Sequence, residues 1–179
     1  MRDDELERLF KAYHAPLVRY LTRRLGDRDW AEEVAQEVFL RALRQDSLQN
    51  ERSWLFAVAT NLVRDEARRT ARQRRHLQVL AEQERETVFE PPLTSGERAH
   101  EAAMARQALE SLVEKDRLAL LMREEGLNYG EIAAALDLSV GSVGTTLARA
   151  RRRLAETYEA LQSGEGRRAA GGQGDEHDR

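Results

Sequence analysis

Residues 127–154 read LNYGEIAAALDLSVGSVGTTLARARRRL, and the rest of the chain makes sense around them as two short helices joined by a tight turn. Asn128 can cap the first helix with Glu131 at its third position, and Leu127 and Ile132 stand where a hydrophobic staple closes. Ser139 can cap the second, with Leu138 and Val143 repeating the staple spacing. Asp137 falls at the bend, where a residue tolerant of the left-handed region is needed, and small Ala133 lets the helices approach closely.

Along the second helix Val143, Leu147, Ala150 and Leu154 recur at helical spacing. They form a buried stripe that turns Ser142, Thr145, Arg149, Arg152 and Arg153 outward. A face of that kind suits a phosphate-lined groove. A plain helical hairpin, its terminal arginines complementing the helix dipole, accounts for the same residues. The paired staples around one tight bend favour a helix-turn-helix.

With 179 residues, 41% hydrophobic and 34% charged, the chain has room for one medium domain or two small ones. Few aromatics and long runs of Ala, Leu, Glu and Arg point to an all-α protein. The near balance of 29 basic and 32 acidic residues hides segregation along the chain. Residues 61–76 carry six arginines against Asp65 and Glu66, whereas acids outnumber bases over 77–116. Basic modules around an acidic connector fit a protein that meets a polyanion at two places.

There is no cysteine, which excludes disulfides and thiolate metal sites, and the four histidines are scattered. No nucleophile, metal-ligand set or phosphate-cradling glycine loop assembles, so no catalytic residue, metal or cofactor is expected. The start MRDDELERLF is too charged for a secretory signal and no apolar run approaches membrane-spanning length, which makes the cytoplasm the expected location, without membrane insertion.

In chain order, Leu6, Leu9, Phe10, Tyr13, Leu17, Leu21 and Leu25 share one helical stripe, which Pro16 should kink or break and Gly26 should end. Asp29 is the expected cap of the next helix. There Ala31, Val34, Ala35, Val38, Ala42 and Leu43 make a buried face, leaving Glu32, Glu33, Gln36, Glu37, Leu40, Arg41 and Arg44 outside. Leu40 is the odd member of that side: either a solvated accident or the apolar centre of an interface.

Residues 45–53 read as a loop before a helix opening near Ser53. Leu55, Val58, Ala59 and Leu62 should pack inward, with Trp54, Asn61, Asp65, Arg68 and Arg72 along another stripe. An Asn and an aromatic above a ladder of arginines could read a base and grip its backbone; a core Trp beside a solvated basic helix end is the plainer alternative. Pro91 and Pro92 forbid a continuous helix through the linker. Helical spacing resumes at Ala99, Ala102, Ala103, Ala105, Leu109 and Leu112, then at Leu118, Leu121 and Met122, and the tail after about Leu161 has nothing to bury.

The expected fold is therefore all-α: two small helical bundles joined by a flexible linker, the second containing the helix-turn-helix. In that arrangement the chain resembles bacterial RNA polymerase sigma factors of the extracytoplasmic-function group, over roughly residues 6–161. AEEVAQEVFLRA is similar to the family's core-polymerase-binding helix, WLFAVATNLVRDEARR to its promoter-melting and minus-10 segment, and GLNYGEIAAALDLSVGSVGTTLARARRRL to its minus-35 reader.

The resemblance implies a region 2 domain over 1–76, a linker over 77–98, a region 4 domain over 99–161 and a disordered tail over 162–179. It implies that Glu33, Gln36, Glu37 and Leu40 dock on core RNA polymerase, and that Trp54, Asn61, Arg64, Arg68, Arg69 and Arg72 meet the melted minus-10 strand. Ser142, Thr145, Thr146, Arg149, Arg152 and Arg153 would meet duplex minus-35 DNA, and residues 45–53 correspond to the base-selecting loop. The partners implied are core RNA polymerase, promoter DNA and an anti-sigma protein.

Two residues depart from the family pattern. Gly144 stands where a Lys or Arg is common, and Val113 where a Pro often opens the final helical unit. A dimeric helix-turn-helix regulator is the main rival, and the first module shows no strand pattern or acidic pocket for its sensing half. A helical protein-binding adaptor would leave the two arginine concentrations unexplained.

Overall fold

The computed structural model describes residues 3–78 and 97–164. The described residues form α1 (Asp3–Leu25), α2 (Arg28–Leu43), α3 (Glu51–Gln78), α4 (Glu97–Glu110), α5 (Glu114–Glu124), α6 (Tyr129–Leu136) and α7 (Val140–Gln162), with no strand among them. They make the expected two helical bundles. By contact, Leu121–Val143 groups with α1–α3, while α4 and the residues up to Leu120 group with those from Gly144 on. Most of the expected linker and tail lies outside the described residues.

Pro16 does not break the first helix, which runs unbroken through it. An interior proline costs about 3 kcal/mol, and the burial of Leu9, Leu17, Val18, Tyr20 and Leu21 on either side offsets that cost. Gly26, at φ 76, ends α1 as expected. The cap of α2 is Asp27 rather than Asp29: its Oδ1 accepts from Trp30 N at 3.0 Å. The chain turns extended as soon as it leaves Gly26, so the cap comes two residues earlier.

α3 likewise opens earlier than expected, at Glu51. Asn50 takes the left-handed conformation, φ 54, which Asn tolerates, and its carbonyl accepts from Trp54 N at 3.0 Å. Ser53, two residues into the helix, is buried.

The core of the α1–α3 bundle centres on Tyr20 and Phe56, whose ring centroids are 5.1 Å apart. Thr60 Oγ1 donates to the Phe56 carbonyl at 2.7 Å, so the Tyr20 hydroxyl is the donor in its 2.8 Å bond to Thr60 Oγ1. Burial pushes the Tyr20 phenol above its ordinary pKa. On α2 the expected stripe is buried except for Leu43, which is 40% exposed, while Phe39 is buried. On α4 the alanine stripe gives way to Met104, Ala108 and Leu112, with Ala102, Ala103 and Ala105 exposed. Larger side chains set which helix face turns inward, and alanines carry too little area to compete.

The helix-turn-helix stretch follows its sequence signals closely. Asn128 and Glu131 form a reciprocal capping box at the start of α6, with bonds of 2.9 and 2.7 Å. Asp137 ends α6 in the left-handed region, φ 53, ψ 57, and Leu138 N donates to the Ala133 carbonyl at 2.9 Å. Backbone N and Oγ of Ser142 both donate to the Ser139 carbonyl, at 3.0 and 2.8 Å, at the start of α7.

A charged pair ties α5 to α7. The carboxylate of Asp116 is fully buried and takes both arms of the Arg149 guanidinium, Nε to Oδ2 at 2.7 Å and Nη2 to Oδ1. The hydrogen bonds from Arg149 hold the Asp116 carboxyl below the usual carboxylate range, and the same pairing raises Arg149.

A carboxyl with a depressed folded pKa contributes stability above its unfolded pKa, and that contribution fades as pH falls through the folded value. Asp116→Asn should therefore cost about 2 kcal/mol near pH 7 in urea unfolding, and the gap to the parent should narrow below about pH 4. An equal gap at both pH values would show that the charge of Asp116 is not what stabilises. Asn128→Ala, which removes the capping box, should cost about 1 kcal/mol in the same measurement.

Candidate nucleic-acid interface

α3 is 28 residues long, and its second half carries the first arginine cluster. Trp54, Asn61 and Arg68 recur every seven residues and so share one stripe about 21 Å long. Asn61 and Arg68 are exposed and Trp54 is half-buried, so an exposed amide and a partly exposed indole lie along one face. Arg68 stands 3.7 Å from Asp65 and Arg69 3.4 Å from Glu66, both weak surface pairs that a phosphate could displace. Arg64 is half-buried and already engaged in the folded chain. Arg72 lies within α3, but its side chain falls outside the described residues.

The six α7 residues divide. Thr145, Arg152 and Arg153 are exposed and Ser142 is half-buried. Thr146 is buried, 7% exposed, because it falls between Val143 and Ala150 on the stripe that also buries Leu147. Arg149 is exposed along its side, yet its guanidinium is held by Asp116. Arg152 is 3.8 Å from Glu156, a loose pair one helical turn on. Gly144 is half-buried inside α7 and offers no cation to the exposed face.

On α2, Glu33, Gln36 and Leu40 are exposed and Glu37 is half-buried, its Oε1 accepting from Arg41 Nε at 2.8 Å. These four flank a ridge between two grooves. Gln36 and Leu40 line an apolar groove of about 510 Å³ against α1, completed by Leu6, Phe10, Phe39 and Leu43 with Glu7 and Lys11. Glu33 and Glu37 line a second groove of about 740 Å³ against α3, with Trp30, Val34, Leu62, Glu66, Ala67, Thr70 and Ala71. The first groove holds exposed large apolar side chains, Leu40 at 53%, Phe10 at 44% and Leu43 at 40%.

Phe10 and Leu43 were missed because each belongs to the apolar stripe of its own helix. A stripe spanning two residue columns leaves its edge uncovered, and periodicity cannot say which edge. Phe10 stacks on His14 at 4.3 Å and tilts against Phe39 at 5.1 Å, so the groove wall is firm. Asp116 was missed as well, since one acid in a first helical turn reads as dipole complement until Arg149 is seen to reach it. Among the described residues no three potential ligands cluster for a metal, and no helix is long and apolar enough to cross a membrane.

Comparison with known proteins identifies two regions along the chain. Residues 9–73 match the family described as Sigma-70 region 2, and residues 102–154 that described as Sigma-70, region 4. The ferric citrate uptake sigma factor FecI of Escherichia coli (strain K12) is 32% identical over 152 residues, covering 80% of this chain and 85% of that protein. RNA polymerase sigma factor YlaC of Bacillus subtilis (strain 168) is 30% identical over 159 residues, covering 84% and 90%. The sigma factor RpoE in a co-crystal structure with the anti-sigma factor NepR from Bartonella quintana shares the fold, with a TM-score of 0.61 over 87% of this chain and 95% of that one at 20% identity. With both sigma regions in order and relatives matched over most of their length, the chain belongs to the sigma-70 family, in its extracytoplasmic-function group, whose members direct RNA polymerase to promoters.

Proposed function

We propose that the labour of this sigma factor is divided among three helix faces: α2 docks on core RNA polymerase, α3 receives the melted minus-10 strand and α7 enters the duplex at minus-35. Residues 1–76 then form the region 2 domain and 99–161 the region 4 domain, joined by 77–98. The observation that carries the docking assignment is Leu40, 53% exposed on a ridge between two grooves. A large apolar side chain held out in water, with Phe10 and Leu43 beside it, is the expected centre of a protein interface. Gln36, Glu37 and Glu33 form its polar rim.

At minus-10 a base must leave its stack at a cost of a few kcal/mol, offset by the pocket that receives it and by backbone contacts. Asn61, with Trp54 on the same stripe, supplies the base contact in this proposal, and Arg64, Arg68, Arg69 and Arg72 the backbone contacts. At minus-35, Ser142 and Thr145 face the base edges while Arg152 and Arg153 neutralise phosphates, an affinity that salt weakens. Arg149 acts there as a positioning residue through Asp116, and buried Thr146 supports the helix from behind.

No bond is made or broken by this chain in that scheme; it supplies binding energy, and its place is the cytoplasm beside the polymerase. An anti-sigma protein is the regulatory partner proposed, supported by the co-crystal structure of RpoE with NepR. The two α2 grooves are the apolar surface such a partner would cover.

Leu40→Asp should abolish co-purification with core polymerase while leaving helical content unchanged by circular dichroism, and undiminished co-purification would remove α2 from the docking surface. Asn61→Ala should weaken promoter opening more than closed-complex binding. Permanganate footprints as strong as the parent's would count against that role.

A further inference from the structure

The first three turns of α7 turn toward solvent a face poor in hydrogen-bond donors. Val143, Thr146, Leu147 and Ala150 are buried. At about 100° per residue, the direction opposite them falls to Gly141, Thr145, Ala148 and Arg152, and all four are exposed. Gly141 and Ala148 lie about 10 Å apart along the axis, the rise of about three base pairs.

Residues 139–148, SVGSVGTTLA, include none of the Arg, Lys, Asn or Gln side chains that read a purine with two hydrogen bonds, and no Asp or Glu to accept from cytosine. The first cation of the helix, Arg149, is held by both arms on the buried Asp116 carboxylate. Ser142 already gives its hydroxyl proton to the Ser139 carbonyl at 2.8 Å. Thr145 has one hydroxyl, and a single donor cannot grip guanine O6 and N7 together. The face offers apolar groups instead: the methyls of Thr145 and Ala148, with Val140, 57% exposed, at the flank.

Nothing in the fold asks for glycine at 141. Its φ is not in the left-handed region, and a Cβ there would meet nothing within 4 Å. Glycine weakens a helix through its backbone freedom, so stability alone would favour alanine. A bare backbone at the centre of the outward face lets α7 seat close to what it meets, and short side chains reach a base edge only from close by.

We propose that α7 reads its minus-35 element through the 5-methyl groups of thymines, with Thr145 and Ala148 as the contacts and Gly141 as the point of close approach. The inference rests on assigning α7 to minus-35 duplex. In a helix-turn-helix the N-terminal residues of the second helix meet base edges in the major groove. Among those edges only thymine presents a methyl, the group that alanine and threonine methyls contact. Arg152 and Arg153, in the next turn, take phosphates, which anchors the helix without reading sequence.

The test uses holoenzyme formed from the full chain and core polymerase, on a promoter fragment taken from a start site mapped on genomic DNA. Deoxyuridine in place of each minus-35 thymine removes only the 5-methyl group, and 7-deazaguanine in place of each guanine removes only the N7 acceptor. Uracil should weaken closed-complex binding about fourfold at one or more positions, the worth of one buried methyl, and 7-deazaguanine should cost less at every position. A minus-35 element without thymine, binding unchanged on uracil, or a larger loss on 7-deazaguanine overturns the inference.

Gly141→Ala separates contact from fold: Tm of the free chain should rise by about 2 °C while closed-complex binding weakens about fivefold. A Tm that does not rise would make the glycine a requirement of the fold, and binding as tight as the parent's would remove the close approach; either overturns the role of Gly141. Holoenzyme that initiates nowhere removes the minus-35 assignment and this inference with it, whereas initiation with binding insensitive to uracil removes the inference alone.

Discussion

A helix can present only the residues that its buried stripe leaves over, and α7 is governed by that constraint. Val143, Thr146, Leu147 and Ala150 must all turn inward, which fixes the rotation of the helix and leaves Ser142, Thr145, Arg152 and Arg153 facing out. The Asp116 carboxylate then locks that rotation, because a buried acid keeps its charge only while Arg149 stays beside it. The Arg149 guanidinium, expected together with Arg152 and Arg153 to meet DNA, is instead held by a neighbouring helix. Presentation of the α7 face depends on a contact on the helix's inner side.

The same economy operates on α2. Its buried positions, Ala31, Val34, Ala35, Val38, Phe39 and Ala42, face α1 and α3, so Glu33, Gln36, Glu37 and Leu40, among the residues left over, line up on a ridge with a groove on each side. Small residues at Ala31, Ala35 and Ala42 let the helices approach, and the larger Phe10 and Leu43 are left at the edge of the bundle. An apolar edge next to an exposed Leu40 costs solubility in the free chain. A partner that covers it recovers that cost.

Most of the fold was legible because its local signals agree with one another. The capping box at Asn128 and Glu131, the left-handed Asp137 and the start of α7 after Ser139 all appear where spacing placed them. Misses arose where two local rules competed. Pro16 argued for a break, but apolar burial along both halves of α1 carried the helix through. Asp29 and Asp27 could each cap α2, and the nearer one to Gly26 did.

The candidate site was legible in outline and not in its pairing. Spacing assigned faces to Asn61, Leu40 and Thr145, whereas the burial of Thr146 was implicit in its place beside Val143 and Leu147 and was overlooked. No periodicity could have joined Asp116 to Arg149, or Glu125 to Arg19 and Arg23, since those pairs are distant in sequence and charge alone does not choose partners. Whether this one chain supplies what core polymerase lacks at a promoter is tested most directly by transcription from genomic DNA with purified core polymerase, with and without the chain, mapping the 5′ ends of the RNA. Discrete start sites that appear only with the chain present are the predicted result; the same diffuse starts with and without it would contradict the account.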